Sequence, residues 1–236
     1  MPDSETRRRY DGNREMGRTI TVRGTGKLKL KPDVTVINLT IKSLDKDYSK
    51  AMRAEAERLD ALTIALVAAG LSEESIKTQN FFVNTEYEGV RDENGNYRNV
   101  FSGYSCSHQL TVRFPFDNEK LGKALSAVAA SVSEPELNIQ FTVKDKDAIA
   151  LTLLGKAAED ARARAEAILA PTGARLGKLI SADYNWGQGN FVSPTNYANS
   201  NLRMMKAAGA MEDEALDIRP DDVTASDNVT FVWEIE

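Results

Sequence analysis

Cys106 and His108 are the two residues best suited to nucleophilic chemistry, and they are two positions apart in a stretch with strand character. Residues two apart on a strand leave the same face, so both side chains share a face with Tyr104. A thiolate–imidazole pair is conceivable there. However, Cα atoms two residues apart lie about 6.6–6.8 Å from each other, and no third group is evident to orient the ring. Tyr104, Cys106 and His108 are therefore a candidate pocket, and a core or interface position explains them more simply.

The sequence contains few other residues that could form a catalytic or metal site. One cysteine excludes an intramolecular disulfide, and one histidine beside it cannot build a four-cysteine or three-histidine zinc site. A Ser-His-Asp relay would have to use that single imidazole. Gly24-x-Gly26 lacks the third glycine of a phosphate loop and no helix pattern follows it, so we interpret these strand glycines as a bulge or the close approach of another chain segment. We predict no catalytic residue, no cofactor, no metal and no enzymatic activity.

The composition predicts a folded, acidic protein. The 236 residues include 30 Lys or Arg and 35 Asp or Glu, a net charge of −5, which argues against nucleic-acid binding. No apolar run is long enough for a transmembrane helix. Residues 1–17 are polar, so we expect a disordered tail and no signal-peptide core. This predicts a cytoplasmic location, and a periplasmic or secreted location is the alternative if a leader has been removed.

The hydrophobic periodicity predicts alternating hairpins and helices. Strand patterns at 19–30 and 34–41 suggest a first hairpin through Pro32-Asp33, and patterns at 76–87 and 97–114 suggest a second through Asn94-Gly95. A helix between them is capped by Asp45 or Asp47 and ends at Gly70, which favours a left-handed conformation. Further elements are a short helix at 121–132 and a strand at 137–143.

A second long helix pattern begins near Asp145. We predict its buried seam as Leu151, Leu154, Ala158, Ala161, Ala165 and Ile168. Strands at 176–186 and 229–235 complete the order ββ-α-ββ-α-β-α-β-β. This predicts an α+β fold in which helices cover one face of a mostly antiparallel sheet. Residues 18–236 are expected to form one domain with a long loop at 187–221.

Several local strings resemble the SIMPL domain family of bacterial secreted and cell-envelope proteins. They include Ile20-x-Val22-x-Gly24-x-Gly26 before Pro32-Asp33, Gly103-Tyr104-Ser105, the alanines Ala157, Ala161 and Ala165, Gly173-x-x-Leu176-Gly177, and Ile218-x-Pro220. The resemblance spans about residues 18 to 236. It implies an α+β fold, a tendency to self-associate, and no established activity, cofactor or catalytic residue.

Two hypotheses follow. The first is a non-enzymatic protein that self-assembles or binds a protein partner through sheet edges and the 187–221 loop, in envelope or stress physiology. Its candidate interaction residues are Phe191, Tyr197, Met204 and Met205. The alternative is a small-molecule-binding protein or an enzyme with a pocket at Tyr104, Cys106 and His108.

Overall fold

The computed structural model describes residues 17–91, 96–184, 189–195, 197–198 and 218–236. These residues form an α+β fold, as predicted, and the observed order of helices and strands roughly matches the predicted one. The helices and strands are β1 Thr19–Leu30, β2 Val34–Asp45, α1 Tyr48–Ala68, β3 Ile76–Arg91, β4 Tyr97–Pro115, α2 Asn118–Ala130, β5 Glu136–Thr142, α3 Lys146–Leu169, β6 Leu176–Asp183, β7 Tyr197–Ala198 and β8 Val223–Ile235.

The chain divides into two compact units. The larger unit comprises residues 29–146 and 190–225 and contains a five-stranded sheet in the order β3-β4-β2-β5-β7. The pairs β3–β4, β4–β2, β2–β5 and β5–β7 are all antiparallel. The β3–β4 pairing confirms the second predicted hairpin, and its predicted Asn94-Gly95 turn lies outside the described residues. The strands β3 and β7 are the edges of this sheet, so their outer backbone groups have no neighbour within it.

Helices α1 and α2 cover one face of the five-stranded sheet. Alternate residues of β2 face them, and Ile37, Leu39 and Ile41 are almost completely buried against Leu62 and Leu66 of α1. Asp47 caps α1 by accepting a hydrogen bond from Lys50 N at 3.0 Å. Gly70 has φ +92°, the left-handed conformation predicted for the end of the helix.

The smaller unit comprises residues up to 28, 147–189 and 226–236, and it contains a three-stranded sheet in the order β1-β8-β6. Helix α3 packs on this sheet through Ala157, Ala161 and Ala165, which contact Val22 of β1 and Trp233 of β8 in one buried cluster. The close approach of helix and strand depends on Gly24 and Gly26. A Cβ at Gly24 would lie 1.9 Å from the Ala157 carbonyl oxygen, and one at Gly26 would lie 2.0 Å from that of Leu153.

The predicted hairpin between β1 and β2 is wrong, because β1 pairs with β8 and β2 lies between β4 and β5. The Pro32-Asp33 segment forms hydrogen bonds to other parts of the sheet. Asp33 N donates to Thr142 O at 3.0 Å, and Asp33 O accepts from Phe116 N at 2.8 Å. These bonds attach the turn to the ends of β4 and β5, so it does not fold β1 back onto β2.

The buried seam of α3 also differs from the predicted one. The buried positions are Leu153, Ala157, Ala161, Ala165 and Leu169, whereas Leu151 and Ile168 are 70% and 56% exposed. The seam therefore advances in steps of four. The reason is that the helix backbone meets Gly26 of β1 at Leu153 and Gly24 at Ala157, four residues apart, so positions spaced by four face the sheet.

Parts of the predicted 187–221 loop belong to the larger unit's sheet. Strand β7 pairs with β5, Thr142 Oγ1 donates to Phe191 O at 2.6 Å, and Ser193 N donates to Phe141 O at 2.8 Å. Ser193 Oγ donates to Asp221 O at 2.7 Å, which joins the two described ends of the segment. Met204 and Met205 lie outside the described residues.

The helix–strand contact in the smaller unit makes a testable prediction. Gly24→Ala is expected to destabilise the protein by about 3 kcal/mol, at the upper end of overpacking costs, because its Cβ would collide with backbone. Gly155→Ala in α3 is the matched control, since a Cβ there meets no atom within 4 Å. That change should stabilise the protein by about 0.5–1 kcal/mol. Urea unfolding monitored by circular dichroism measures both, and equal effects would contradict the packing assignment.

A second prediction concerns Asp160 of α3. Its Oδ2 accepts from Thr25 N at 2.8 Å and pairs with Arg164 at 2.9 Å, and these contacts, the backbone bond foremost, lower the pKa of Asp160. A lowered pKa in the folded state contributes stability above the ordinary aspartate pKa of about 3.9, and the contribution is lost as pH falls through the folded value. Asp160→Asn should therefore be less stable than wild type at pH 7, and the difference should close as pH falls through the lowered folded-state pKa of Asp160. A pH-independent difference in unfolding free energy would contradict this.

Candidate functional site

Tyr104, Cys106 and His108 lie on β4 as predicted and face the side covered by α1. Cys106 and His108 are buried, whereas Tyr104 is half-buried. Tyr104 contacts Tyr48, the first residue of α1, with ring centroids 5.5 Å apart. Strand β4 therefore lies beside the first turn of α1 at Tyr104 and beneath the helix at His108.

Cys106 sits in an environment that suppresses thiol chemistry. Its side chain is completely buried, and Sγ lies 3.7 Å from Met52 Sδ of α1. Burial raises the pKa of the Cys106 thiol; a hydrogen bond to Ser43 opposes the rise, and the nearby charge of Glu55 adds to it. Because the thiolate is the reactive form, this cysteine is unsuited to nucleophilic catalysis.

His108 is the centre of a buried polar array. Its Nδ1 lies 2.6 Å from Glu55 Oε1 on α1, and its Nε2 lies 2.8 Å from Thr78 Oγ1 on β3. A carboxylate can only accept, so Nδ1 carries the proton that Glu55 binds. In the neutral ring Nε2 then accepts from the Thr78 hydroxyl. Glu55 and His108 are 4% and 8% exposed, and Phe81 packs edge-on against the imidazole at 5.3 Å. We call Glu55, His108 and Thr78 the histidine array.

The sequence interpretation missed both partners of His108. Glu55 occupies the buried face of α1 together with Ala51, Leu62 and Leu66. A glutamate among the buried apolar residues of a helix indicates that its carboxylate has a buried polar partner. The pattern does not indicate which residue that partner is. Thr78 has no distinguishing signal, because β4 brings it to His108 only through the sheet register.

Among the described residues, no cluster of three His, Cys, Asp or Glu side chains stands close enough to hold a metal ion. A groove of about 610 Å³ opens near one end of the larger sheet. It is lined by Lys42, Ser43, Leu44, Arg58, Glu86, Tyr87, Glu88, Ser102 and Ser105. None of these is Tyr104, Cys106 or His108, so this groove is not the predicted pocket. Its charged residues carry both signs.

The β3–β4 hairpin is longer than the helix that covers it. At about 1.5 Å per residue the 21-residue α1 is about 32 Å long. At about 3.3 Å per residue the 16-residue β3 extends up to about 53 Å. The hairpin therefore continues past the start of α1 as a two-stranded arm. We call residues 84–91 and 97–105 the aromatic arm.

Aromatic rings form a continuous row along the arm. Tyr104 lies 5.2 Å from Phe101, and Phe101 lies 6.1 Å from Tyr87, each pair in an edge-on arrangement. The row begins at Tyr48 and ends at Tyr87, which is 60% exposed; Tyr97, farther along the arm, is 76% exposed and lies under the Arg91 guanidinium at 5.9 Å. Exposed aromatic surface of this extent is typical of interaction sites.

The candidate interaction residues Phe191 and Tyr197 lie at the opposite edge of the same sheet. Tyr197 packs against the core beside β5, and this burial raises the pKa of its hydroxyl. Phe191 is half-buried, and its carbonyl is bound by Thr142. Both residues make contacts within the chain.

The fold and these sites describe an α+β protein with a long exposed hairpin and a buried histidine, and the chain belongs to the SIMPL family. The family model covers residues 20–233 and is described as a protein of unknown function, DUF541. The 26 kDa periplasmic immunogenic proteins of Brucella melitensis biotype 1 and Brucella abortus strain S19 are each 26% identical over 220 residues. Each match covers 92% of this chain and 84% of the relative. In the described part of the chain no helix has the length and apolar content needed to cross a membrane.

The thiol environment makes a prediction. Cys106 in the folded protein is expected to react with a thiol reagent at pH 7.4 at least about 100-fold more slowly than in denaturant, because exposure needs an opening that costs about 3 kcal/mol or more. The absorbance of the coloured leaving group that the reagent releases measures the rate of the reaction. Cys106→Ala has no thiol and provides the background control. Equal rates in the folded and denatured protein would show that the thiol is accessible.

Proposed function

We propose that the protein is a self-associating module whose subunits join through the edge strand β3. The observation that carries the proposal is the exposure of this strand: all but two of its 16 residues are exposed, and no strand among the described residues pairs with its outer side. Long, exposed edge strands pair readily with another chain, and proteins that remain monomeric usually shorten or cover them. The proposal keeps the sheet-edge assembly inferred from the sequence and assigns it to one edge.

The side chains of β3 favour a specific contact between two copies over nonspecific hydrophobic association. Phe81 and Phe82 are 39% and 37% exposed near the middle of the strand. Lys77 is exposed near its beginning, and Glu86 and Glu88 are exposed toward its end. With Arg91 as the last residue, the first half of the strand carries a net charge of +1 and the second half −1, which favours antiparallel pairing of two copies and disfavours parallel pairing.

The register follows from the bulge in β3. Thr78 and Asn80 pair with adjacent residues of β4, so Gln79 is the extra residue. An antiparallel pair of β3 strands centred on Val83 places Phe82 opposite Asn84 of the second copy. Without a bulge, this pairing would place Lys77 opposite Gly89 of the second copy. Because Gln79 is an extra residue without a partner, Lys77 instead lies opposite Glu88 of the second copy. Each dimer then contains two such pairs, and the aromatic arms lie beside the joined edges.

The family membership is compatible with this proposal and assigns no activity that competes with it. The Brucella relatives are named as periplasmic proteins. We therefore propose the periplasmic alternative for this chain. Contributions of Met204, Met205 and the rest of the 187–221 loop to assembly stay predictions.

Charge reversal tests the interface. Lys77→Glu and Glu88→Lys each create two like-charge pairs per dimer, which at about 1 kcal/mol per pair weaken association by about 30-fold. The double variant Lys77→Glu/Glu88→Lys restores opposite charges and should recover wild-type association. Light scattering after size-exclusion chromatography across micromolar concentrations measures the change.

The control is Lys156→Glu on the exposed side of α3, which changes the net charge by the same amount as Lys77→Glu. It should leave the oligomer intact. A wild-type protein that remains a monomer across these concentrations contradicts self-association. An oligomer that withstands both single reversals contradicts the β3 interface.

A further inference from the structure

We propose that Thr78 is a nucleophile that accepts acyl groups from small esters, with His108 as its general base and Glu55 as the residue that orients the base. The site is separate from the self-association contact in its chemistry. It takes up the enzyme alternative that the sequence leaves open, with a hydroxyl in place of the Cys106 thiol.

The connectivity of the histidine array is that of a hydroxyl–imidazole–carboxylate relay. Nucleophile and base are 2.8 Å apart at Nε2, and base and carboxylate are 2.6 Å apart at Nδ1. Both distances lie within the hydrogen-bond range of about 2.6–3.2 Å that proton transfer requires. The three residues come from β3, β4 and α1, so sheet register and helix packing determine their relative positions.

Burial gives each residue the environment that its role needs. Glu55 and His108 are shielded by α1, whereas Thr78 belongs to the exposed edge strand. A carboxylate held against Nδ1 in this setting stabilises the imidazolium that forms when the ring takes a proton. Packing alone would not require this arrangement, because apolar residues of similar volume fill such a site at equal or lower cost.

The bulge supplies a candidate donor for the oxyanion. Gln79 directly follows the nucleophile and has no Cα partner on β4. In acyl-transfer sites the backbone N–H of the residue after the nucleophile commonly binds the oxyanion, and bulges frequently adjoin active sites. Phe81 lies beside the imidazole and is 39% exposed, which provides an apolar surface for a short acyl chain.

The reaction balances without a further reagent. Thr78 Oγ1 attacks the ester carbonyl carbon, and its proton passes to His108 Nε2. The bond between the carbonyl carbon and the leaving oxygen then breaks, and Nε2 returns the proton to the departing alcohol. The product is an ester on Thr78, and a water molecule activated by the same imidazole can release the acid.

The test is site-resolved acetylation by p-nitrophenyl acetate at pH 7.5. Peptide mass spectrometry reports the acetyl group on Thr78 relative to the lysines of the same sample. In wild type Thr78 should be labelled well ahead of Thr85, an exposed threonine on the same strand. Thr78→Val should abolish the part of the nitrophenolate release that accompanies acetylation of Thr78, and Thr78→Ser should retain it. Thr85→Val is the matched control and should leave it unchanged.

Glu55→Gln keeps a hydrogen-bond acceptor but removes the charge, so labelling of Thr78 should fall by about 100-fold while lysine labelling stays constant. His108→Gln should lose the reaction. Circular dichroism confirms folding, and if His108→Gln does not fold, the Glu55→Gln and Thr78→Ser pair decides. Acetylation confined to lysines, or equal labelling of Thr78 and Thr85, would overturn the proposal. Labelling of Thr78 that is unchanged in Glu55→Gln would overturn the role of Glu55.

Discussion

The difference in length between α1 and the β3–β4 hairpin is the constraint on which the main features of the larger unit depend. Where the helix covers the sheet, alternate strand residues are buried and a tightly packed core forms. Where the helix has not yet begun, the same face of the hairpin carries aromatic rings into solvent. Apolar side chains on a covered face are consumed by packing, and those on an uncovered face are available for association.

The same boundary explains how a polar array is placed beside exposed surface. His108 lies under the helix and Thr78 lies on the edge strand, so one hydrogen-bonded chain runs from shielded to accessible positions. Burying a carboxylate is costly unless it is paired, and the imidazole supplies the hydrogen bond that Glu55 needs. The array and the proposed interface thus share strand β3.

Periodicity was sufficient for most of the fold. The alternating and three-to-four patterns predicted the α+β class, the second hairpin and the helices that cover one sheet face, because those patterns report directly which side of an element is apolar. They failed where packing partners decide. The first hairpin was wrong because Asp33 bonds to the ends of β4 and β5. The α3 seam was partly wrong because the helix meets two glycines of β1 at Leu153 and Ala157, and this contact decides which face of the helix is buried.

For the candidate site, the sequence by itself determined which reactive residues exist and which share a strand face. It determined that Cys106 and His108 point the same way, since strand alternation is local. Only the tertiary structure decided that the thiol is sealed against Met52, and that the imidazole meets Glu55 and Thr78. These partners are 30 to 54 residues distant along the chain, and no local pattern encodes a contact that sheet register and helix packing create together.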